Sequence, residues 1–265
     1  MLPLSLRHFR ALALGILLGA LGCGGTRLPA ADRAAAVGFV QQGDVWVRSA
    51  TLRGVTFLEV VIGTDEVDAQ LPLVVAIHGL GDAPRRPDAM WRHRARPYRM
   101  ILPRGPLEFG NGYAWSPTRV GDGRPAELAV DIENAVTSLA QFLPVLRAAR
   151  PTRGSVIITG FSQGGIVTLA LATHRPDLVG FAMPLAAWLP PALEPGQANG
   201  TLMIHALHPH DDERIPLGPS IELYERLQRA GWNLTYVVVP GTHRVTAAVE
   251  AFVAEELDRA LIARD

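Results

Sequence analysis

The stretch that most constrains the fold is residues 155–165, SVIITGFSQGG. Its first half is an apolar, β-branched run typical of a buried strand in a parallel sheet. Its second half contains GFSQG at residues 160–164, a G-x-S-x-G match, and an apolar segment that can form a buried helix follows. A strand that turns this sharply into a helix needs glycine on either side of the corner residue. The pattern predicts a strand–turn–helix unit that exposes the Ser162 hydroxyl as a nucleophile; the alternative is a glycine-rich turn in which Ser162 only caps the helix.

Apolar runs elsewhere alternate with segments of helical spacing, and 48% of the 265 residues are hydrophobic. This predicts one α/β domain with a mostly parallel sheet covered by helices on both faces. Two β-branched segments, Asp44–Ala50 and Val55–Ile62, are typical of an antiparallel hairpin at a sheet edge. Pro144 is expected to kink or shorten a helix. The other predicted strands are Leu73–Ile77, Arg99–Leu102, Val179–Leu185, Leu202–Leu207 and Leu234–Val239, and the other predicted helices are Glu127–Ala149, Ser220–Ala230 and Arg244–Ala263.

The N-terminus has the features of a bacterial lipoprotein signal. Basic residues precede an apolar segment, Ala11–Leu21, that is too short to cross a bilayer comfortably. Ala20-Leu-Gly-Cys23 resembles a lipobox, and Cys23 is the only cysteine; the alternative is an ordinary signal peptide with an incidental cysteine. We expect an exported protein of the bacterial cell envelope, anchored to a membrane by acyl chains on Cys23. The predicted organisation is a signal peptide at residues 1–22, a tether at 23–40 and the α/β domain at 41–265.

Two loops carry the residues that could activate Ser162. The loop His208–Pro216 follows one predicted strand, and Pro240-Gly-Thr-His243 follows the last one. Because the carboxyl ends of parallel strands meet at one edge of a sheet, both loops should lie beside Ser162. His243 would then take the serine proton, and Asp211 or Asp212 would hold the imidazole in the correct tautomer.

An oxyanion hole needs two backbone N–H groups aimed at the developing charge. One should come from Gln163 and the other from Leu80, in the glycine-rich turn His78-Gly-Leu-Gly-Asp82. We interpret the side chains of His78 and Asp82 as orienting this turn. Near the site, Trp115, Trp188 and Leu189 are candidates to line an acyl groove, with ordinary loop packing as the alternative.

The composition bears on partners and cofactors. The formal net charge is zero, which argues against nucleic acid as a partner. The histidines and aspartates of residues 205–212 could ligate a metal, but the acid loop already needs them, so we predict no metal site. A basic run is interpreted as a solvated surface, with attraction to anionic lipid head groups as the alternative. Its members are Arg85, Arg86, Arg92, Arg94, Arg96 and Arg99.

The motifs taken together resemble the phospholipase/carboxylesterase family of α/β-hydrolases, which includes acyl-protein thioesterases. The resemblance rests on residues 78–82 (HGLGD), 160–165 (GFSQGG), the His208–Pro216 loop and Pro240-Gly-x-His243, and it covers the chain from about Leu71 onward. It implies the α/β-hydrolase fold and hydrolysis of carboxylic esters, thioesters or lysophospholipids by a Ser-His-Asp triad, through an acyl-enzyme and without cofactor. By the spacing to Pro216 it makes Asp212 the acid. Pro209 stands where the family usually has glycine and the loop is thicker, so Asp211 remains a rival.

Other functions remain open at this stage. A secreted polyester depolymerase or feruloyl esterase has a similar serine turn, and a catalytically silent ligand-binding protein could keep the same fold. The intervals Ser162–Asp212 and Asp212–His243 are filled by the predicted strands and helices, which leaves no room for a large cap. We therefore expect a small-molecule ester or thioester substrate of short to medium chain; the oligomeric state is not set by these patterns.

The lipidation hypothesis makes a direct prediction. The full-length protein expressed in a bacterial host should partition into membranes, and Cys23→Ser should release it or leave its signal uncleaved, because the acyl chains have no other cysteine to modify. Metabolic labelling with a fatty-acid analogue measures this, with the wild-type chain as the positive control. Labelling that persists in Cys23→Ser would contradict the lipobox.

Overall fold

A central sheet of nine strands organises residues 38–92, 94–198 and 200–263, which a computed structural model describes. The strands in chain order are β1 Val40–Gln42, β2 Val45–Leu52, β3 Val55–Ile62, β4 Leu71–Ile77, β5 Tyr98–Pro103, β6 Leu107–Phe109, β7 Gly112–Ala114, β8 Thr152–Phe161, β9 Val179–Leu185, β10 Met203–Pro209 and β11 Asn233–Val239. The helices are α1 Ala89–Arg92, α2 Pro125–Ala149, α3 Gln163–His174, α4 Leu217–Arg229 and α5 Ala247–Ile262. Two 3₁₀ turns cover Val120–Asp122 and Pro191–Leu193.

The strand order in the main sheet is β1-β2-β3-β5-β4-β8-β9-β10-β11, and β6 pairs only with β7. Across the main sheet, each pair of neighbours in the series β5-β4-β8-β9-β10-β11 runs parallel. The strands β1, β2 and β3 are antiparallel to their neighbours. The predicted mostly parallel sheet is therefore confirmed. The predicted hairpin is β2–β3, and its turn uses Arg53 and Gly54 at φ 51° and 78°, the left-handed backbone that a two-residue hairpin loop requires.

Helices cover both faces of the sheet because neighbouring residues of a buried strand point to opposite faces. On β4, Val75 packs in the cluster beneath α2, α3 and α4, while Val74 packs in the cluster beneath α5. Ile158 and Ile157 of β8 divide in the same way. This two-sided burial explains why the inner strands read as continuous apolar runs.

Several local features differ from the sequence predictions. Helix α2 continues through Pro144, so the expected shortening is wrong; Pro144 lies on the exposed side, while Phe142, Leu143 and Leu146 pack into the core. The predicted surface loop after β5 contains the β6–β7 hairpin and a 3₁₀ turn. The edge strand β1 and the short helix α1 were not predicted. The proposed signal peptide and Cys23 lie outside the described residues, and no helix within them is long and apolar enough to span a membrane.

A buried carboxylate, Glu59 of β3, holds together three arginines at the antiparallel side of the sheet. The Nε atoms of Arg48 and Arg150 donate to Glu59 at 2.7 and 2.9 Å, and Arg99 forms a further ion pair with it. Arg99 and Glu59 are both fully buried. The interpretation of the basic run as a solvated surface is thus wrong for Arg99, because this side chain points from β5 into the cluster around Glu59.

Glu59→Ala should lower the free energy of unfolding by about 3–5 kcal/mol, because it leaves buried guanidinium groups without their counter-charge. Urea denaturation measures this loss. The matched control is Asp177→Ala, which removes the exposed pair of Asp177 with Arg175 and should cost about 1 kcal/mol or less. Equal losses of unfolding free energy in the two variants would show that burial of the ion pair does not increase its contribution to stability.

Candidate active site

Ser162 occupies the corner between β8 and α3. Its backbone angles are φ 60° and ψ −124°, a strained conformation for a residue with a side chain. Its N–H donates to the carbonyl of Leu185 at 3.0 Å, and its own carbonyl accepts from Ile166 at 2.9 Å. These bonds anchor the corner to β9 and start the helix, so the structure contains the strand–turn–helix unit that the glycine spacing predicts.

Glycines flank this corner because there is no room for side chains. A Cβ on Gly164 would lie 2.1 Å from the carbonyl oxygen of Ile77, and one on Gly165 would lie 2.3 Å from that of Leu185. A Cβ on Gly160 would lie 2.5 Å from the carbonyl oxygen of Gly164. The first turn of α3 therefore packs backbone to backbone against the ends of β4 and β9.

A continuous chain of hydrogen bonds links Ser162, His243 and Asp212. The Ser162 Oγ and His243 Nε2 atoms are 2.7 Å apart, and His243 Nδ1 lies 2.7 Å from Asp212 Oδ2. Because a carboxylate only accepts, Nδ1 carries the proton and Nε2 is free to accept from the serine hydroxyl. The three side chains come from the loops after β8, β10 and β11, whose carboxyl ends meet at this edge of the sheet.

The Asp212 carboxylate is held in its ionised form. Its side chain is fully buried, and its Oδ1 atom accepts the backbone N–H groups of Arg214 and Ile215 at 2.9 and 2.8 Å. Burial by itself raises the pKa of Asp212, but the hydrogen bonds from His243 and from the two backbone groups outweigh it, and the pKa falls below its ordinary value. The group facing the imidazole is thus a carboxylate at neutral pH.

Asp211, the rival in sequence, lies outside this chain of hydrogen bonds. Its side chain is mostly exposed, and its Oδ1 atom contacts His210 Nδ1 at 2.7 Å. Its backbone N–H donates to Gly241, which ties the acid loop to the loop of His243. The structure brings Asp212, and not Asp211, to the imidazole.

The predicted oxyanion residues lie on either side of Ser162. Leu80 and Gln163 both line a cavity that reaches the serine, and among the described residues neither backbone N–H has a hydrogen-bond partner. The turn that carries Leu80 is fixed by β7, since Gly81 donates to the Tyr113 carbonyl and Tyr113 donates to that of Asp82, both at 2.9 Å. Two unpaired donors next to a nucleophile suit a developing negative charge.

His78 connects this turn to the chain after β5. Its Nδ1 atom lies 2.7 Å from the Gly79 carbonyl oxygen, and its Nε2 atom accepts the N–H of Gly105 at 2.9 Å. Burial lowers the pKa of His78, so the neutral imidazole that this arrangement needs is favoured. These contacts agree with the interpretation of His78 as a residue that orients the turn.

Comparison with known proteins assigns the chain to a protein family. Residues 59–258 match the phospholipase/carboxylesterase family. The chain belongs to this family. It is a carboxylic ester hydrolase with the α/β-hydrolase fold. The comparison with curated proteins gives no match.

Solved structures of esterases have the same fold as this hydrolase. Esterase PE8 is 22% identical with a TM-score of 0.63, covering 76% of this chain and 99% of the esterase. A carboxylesterase from Mesorhizobium loti is 17% identical with a TM-score of 0.64, covering 80% and 98%. Acyl-protein thioesterase 2 from Zea mays is 18% identical with a TM-score of 0.56, covering 77% and 98%. At these identities the likeness shows the fold alone.

Sequence reasoning missed the side chain of Gln163, which it used only for its backbone. The Gln163 Oε1 atom accepts the Trp115 N–H at 2.7 Å, and Nε2 donates to the Ser116 carbonyl at 2.9 Å. The Gln163 side chain of this hydrolase thereby joins the loop after β7 to the first turn of α3. A buried amide must find partners for both its donor and its acceptor. That requirement could have indicated that the Gln163 side chain binds a neighbouring loop.

The three residues proposed to line an acyl groove lie elsewhere. Trp115 and Leu189 are buried in the core, and Trp188 packs against it. The Trp115 indole N–H donates to the His78 carbonyl at 3.1 Å, so the ring stabilises the oxyanion turn. None of the three lines the cavities at Ser162 in the described part of the chain. The ordinary packing alternative describes them better.

The histidines considered as metal ligands each have a separate partner. His205 contacts Glu256, and the Nε2 atom of His208 donates to the Ile215 carbonyl at 2.8 Å. His210 contacts Asp211. The described residues contain no group of three or more potential ligands arranged for a metal ion. His208 instead supports the backbone next to Asp212.

Two cavities meet at Ser162. The larger, of about 710 Å³, is also lined by His243, whereas the smaller, of about 450 Å³, is lined by Gln163. Both volumes fall in the range usual for small-molecule sites.

Asp212→Asn should reduce kcat by about 10⁴-fold, because the amide favours the wrong imidazole tautomer and cannot stabilise the imidazolium. Steady-state hydrolysis of a chromogenic ester measures this. The matched control is Asp211→Asn, the same chemical change one residue away on an exposed side chain, which should leave kcat within about threefold of wild type. A larger loss in the Asp211 variant would contradict the geometry.

Proposed function

We propose that this family member is a serine hydrolase that cleaves carboxylic esters through a covalent acyl-enzyme. The observation that carries the proposal is the hydrogen-bonded chain from Ser162 Oγ through His243 to Asp212, with 2.7 Å at each step. A nucleophile in contact with a base, and a base oriented by a carboxylate, is the arrangement that acyl transfer needs.

In the proposed mechanism, His243 Nε2 takes the proton of Ser162 as Oγ attacks the ester carbonyl carbon. The backbone N–H groups of Leu80 and Gln163 bind the resulting oxyanion. His243 then gives the proton to the departing alcohol oxygen, and the carbonyl–alkoxy bond breaks to leave an acyl-Ser162. A water molecule, deprotonated by His243, attacks the acyl group; the bond between the acyl carbon and Ser162 Oγ breaks, His243 returns the proton to Oγ, and the acid is released. Asp212 stays ionised throughout and stabilises the imidazolium.

The proposed substrates are dispersed small-molecule esters or thioesters of short to medium chain. Within the described residues, the connection from β9 to β10 contains only the 3₁₀ turn Pro191–Leu193, and no helical cap covers Ser162. An uncapped site stays accessible to water and exposes no apolar lid at an oil interface. The proteins that share this fold include a carboxylesterase and an acyl-protein thioesterase, which supports esters and thioesters as the substrate class.

The proposed location is the bacterial cell envelope, where the protein would be anchored to a membrane through acylated Cys23. The N-terminal sequence is the support for this part of the proposal. At this proposed location, ester substrates outside the cytoplasm would be the targets of the hydrolase.

Ser162→Ala should reduce kcat by about 10⁴-fold or more and abolish covalent labelling by a fluorophosphonate probe, because the nucleophile and the base act as one unit. Ester hydrolysis and in-gel fluorescence measure the two effects. The matched control is Ser49→Ala, which makes the same change at an exposed position of β2 and should preserve both. A wild-type protein that neither labels nor hydrolyses any ester would instead support a catalytically silent binding protein.

A further inference from the structure

The two cavities at Ser162 differ in their position relative to the base. The larger cavity includes the His243 ring in its lining. Among the described residues around the smaller cavity, Gln163 is present and His243 is not. Ser162 and Leu80 line both. The nucleophile and one oxyanion donor therefore stand at the junction, with the base on one side only.

This asymmetry determines which part of an ester each cavity can receive. The departing alcohol oxygen takes its proton from His243 Nε2 and must come within about 2.6–3.2 Å of that atom. The alcohol group then extends into the cavity that the His243 ring faces. The acyl group, on the other side of the carbonyl carbon, extends into the cavity beside Gln163.

The wall of the larger cavity has an apolar part. It includes Trp91 of α1, Met100 and Leu102 of β5, Leu185 of β9, and Val249 and Val253 of α5. Two arginines of the lining are paired, Arg85 with Asp82 at 2.7 Å and Arg86 with Asp44 at 3.2 Å. The apolar part of the wall favours an uncharged apolar group, because burying a charge against it without a partner is costly.

The smaller cavity has a volume of about 450 Å³, against about 710 Å³ for the larger one. Thr118, Arg119, Asp122, Glu213 and Arg214 line it together with Val120, Leu128, Ile166 and Ile215. A bulky group therefore has more room in the larger cavity.

We propose that the larger cavity is a leaving-group site that selects esters of bulky apolar alcohols, and that the smaller cavity holds the acyl group. This proposal rests on the serine-hydrolase function proposed above. It makes the alcohol part of the substrate, rather than the acyl chain, the main determinant of specificity. Leu102 and Val253 become specificity-determining residues for the alcohol.

The test uses ethyl, hexyl and 2-phenylethyl acetates, which share one acyl group and have alkyl alcohols of similar acidity. Their kcat/KM values report the steps up to alcohol release, so the common deacylation step does not enter. The wild-type kcat/KM should rise by about tenfold or more from ethyl to 2-phenylethyl acetate. An acyl series with a constant ethyl group, from acetate to hexanoate, should show a smaller rise.

Two matched tryptophan variants then separate the cavities. Leu102 and Val120 are both partly buried, and each lines only one of the two cavities. Leu102→Trp should reduce the ratio of 2-phenylethyl to ethyl acetate kcat/KM by about tenfold or more while the acyl-series ratio is kept. Val120→Trp should lower the acyl-series ratio and keep the alcohol ratio.

Fluorophosphonate labelling of Ser162 distinguishes the two ways of failing. A wild-type protein that labels but shows no alcohol preference, or variants with the reverse pattern, would overturn the leaving-group site and leave the serine-hydrolase function intact. A wild-type protein that does not label would overturn the proposed function itself. The wild-type series alone decides the question if either tryptophan variant fails to fold.

Discussion

The close packing of the α3 backbone against the sheet is the constraint on which the site depends. The hydrogen atoms of Gly164 and Gly165 let the first turn of α3 contact the carbonyl groups that end β4 and β9. The same approach brings the turn after β4 against the corner, since a Cβ on Gly79 would lie only 3.2 Å from the Phe161 carbonyl oxygen. Because these glycines lack side chains, Ser162 and the oxyanion turn can lie close together, and a larger residue at Gly164 would separate them.

Much of this architecture could be predicted because it follows from local patterns. Apolar runs such as Leu73–Ile77 identify the inner strands, and the glycine spacing identifies the corner at Ser162. The placement of His243 near that corner then follows from a general property of parallel sheets, whose carboxyl ends share one edge. Neither inference requires knowledge of a single side-chain contact.

The features that could not be predicted depend on contacts between distant segments. Asp211 and Asp212 differ in sequence by one position, and only the loop conformation, in which Arg214 and Ile215 donate to Asp212 Oδ1, distinguishes them. Trp115 lies in a glycine-rich segment typical of a surface loop, yet its bonds to His78 and Gln163 draw it into the core. In the sequence Arg99 is one of a run of arginines, and only the structure shows that Glu59, 40 residues earlier, provides the buried charge that it binds.

The order of the site residues along the chain has a consequence for synthesis of the protein. Ser162 and the oxyanion turn follow β8 and β4, near the middle of the sheet, whereas His243 follows β11 at its edge. A ribosome makes the nucleophile about 80 residues before the base. Without an imidazole to accept its proton, the hydroxyl is a weak nucleophile. Under the proposed function, the nascent chain would carry an inert serine, and reactivity toward ester bonds would begin only when β11 has joined the sheet.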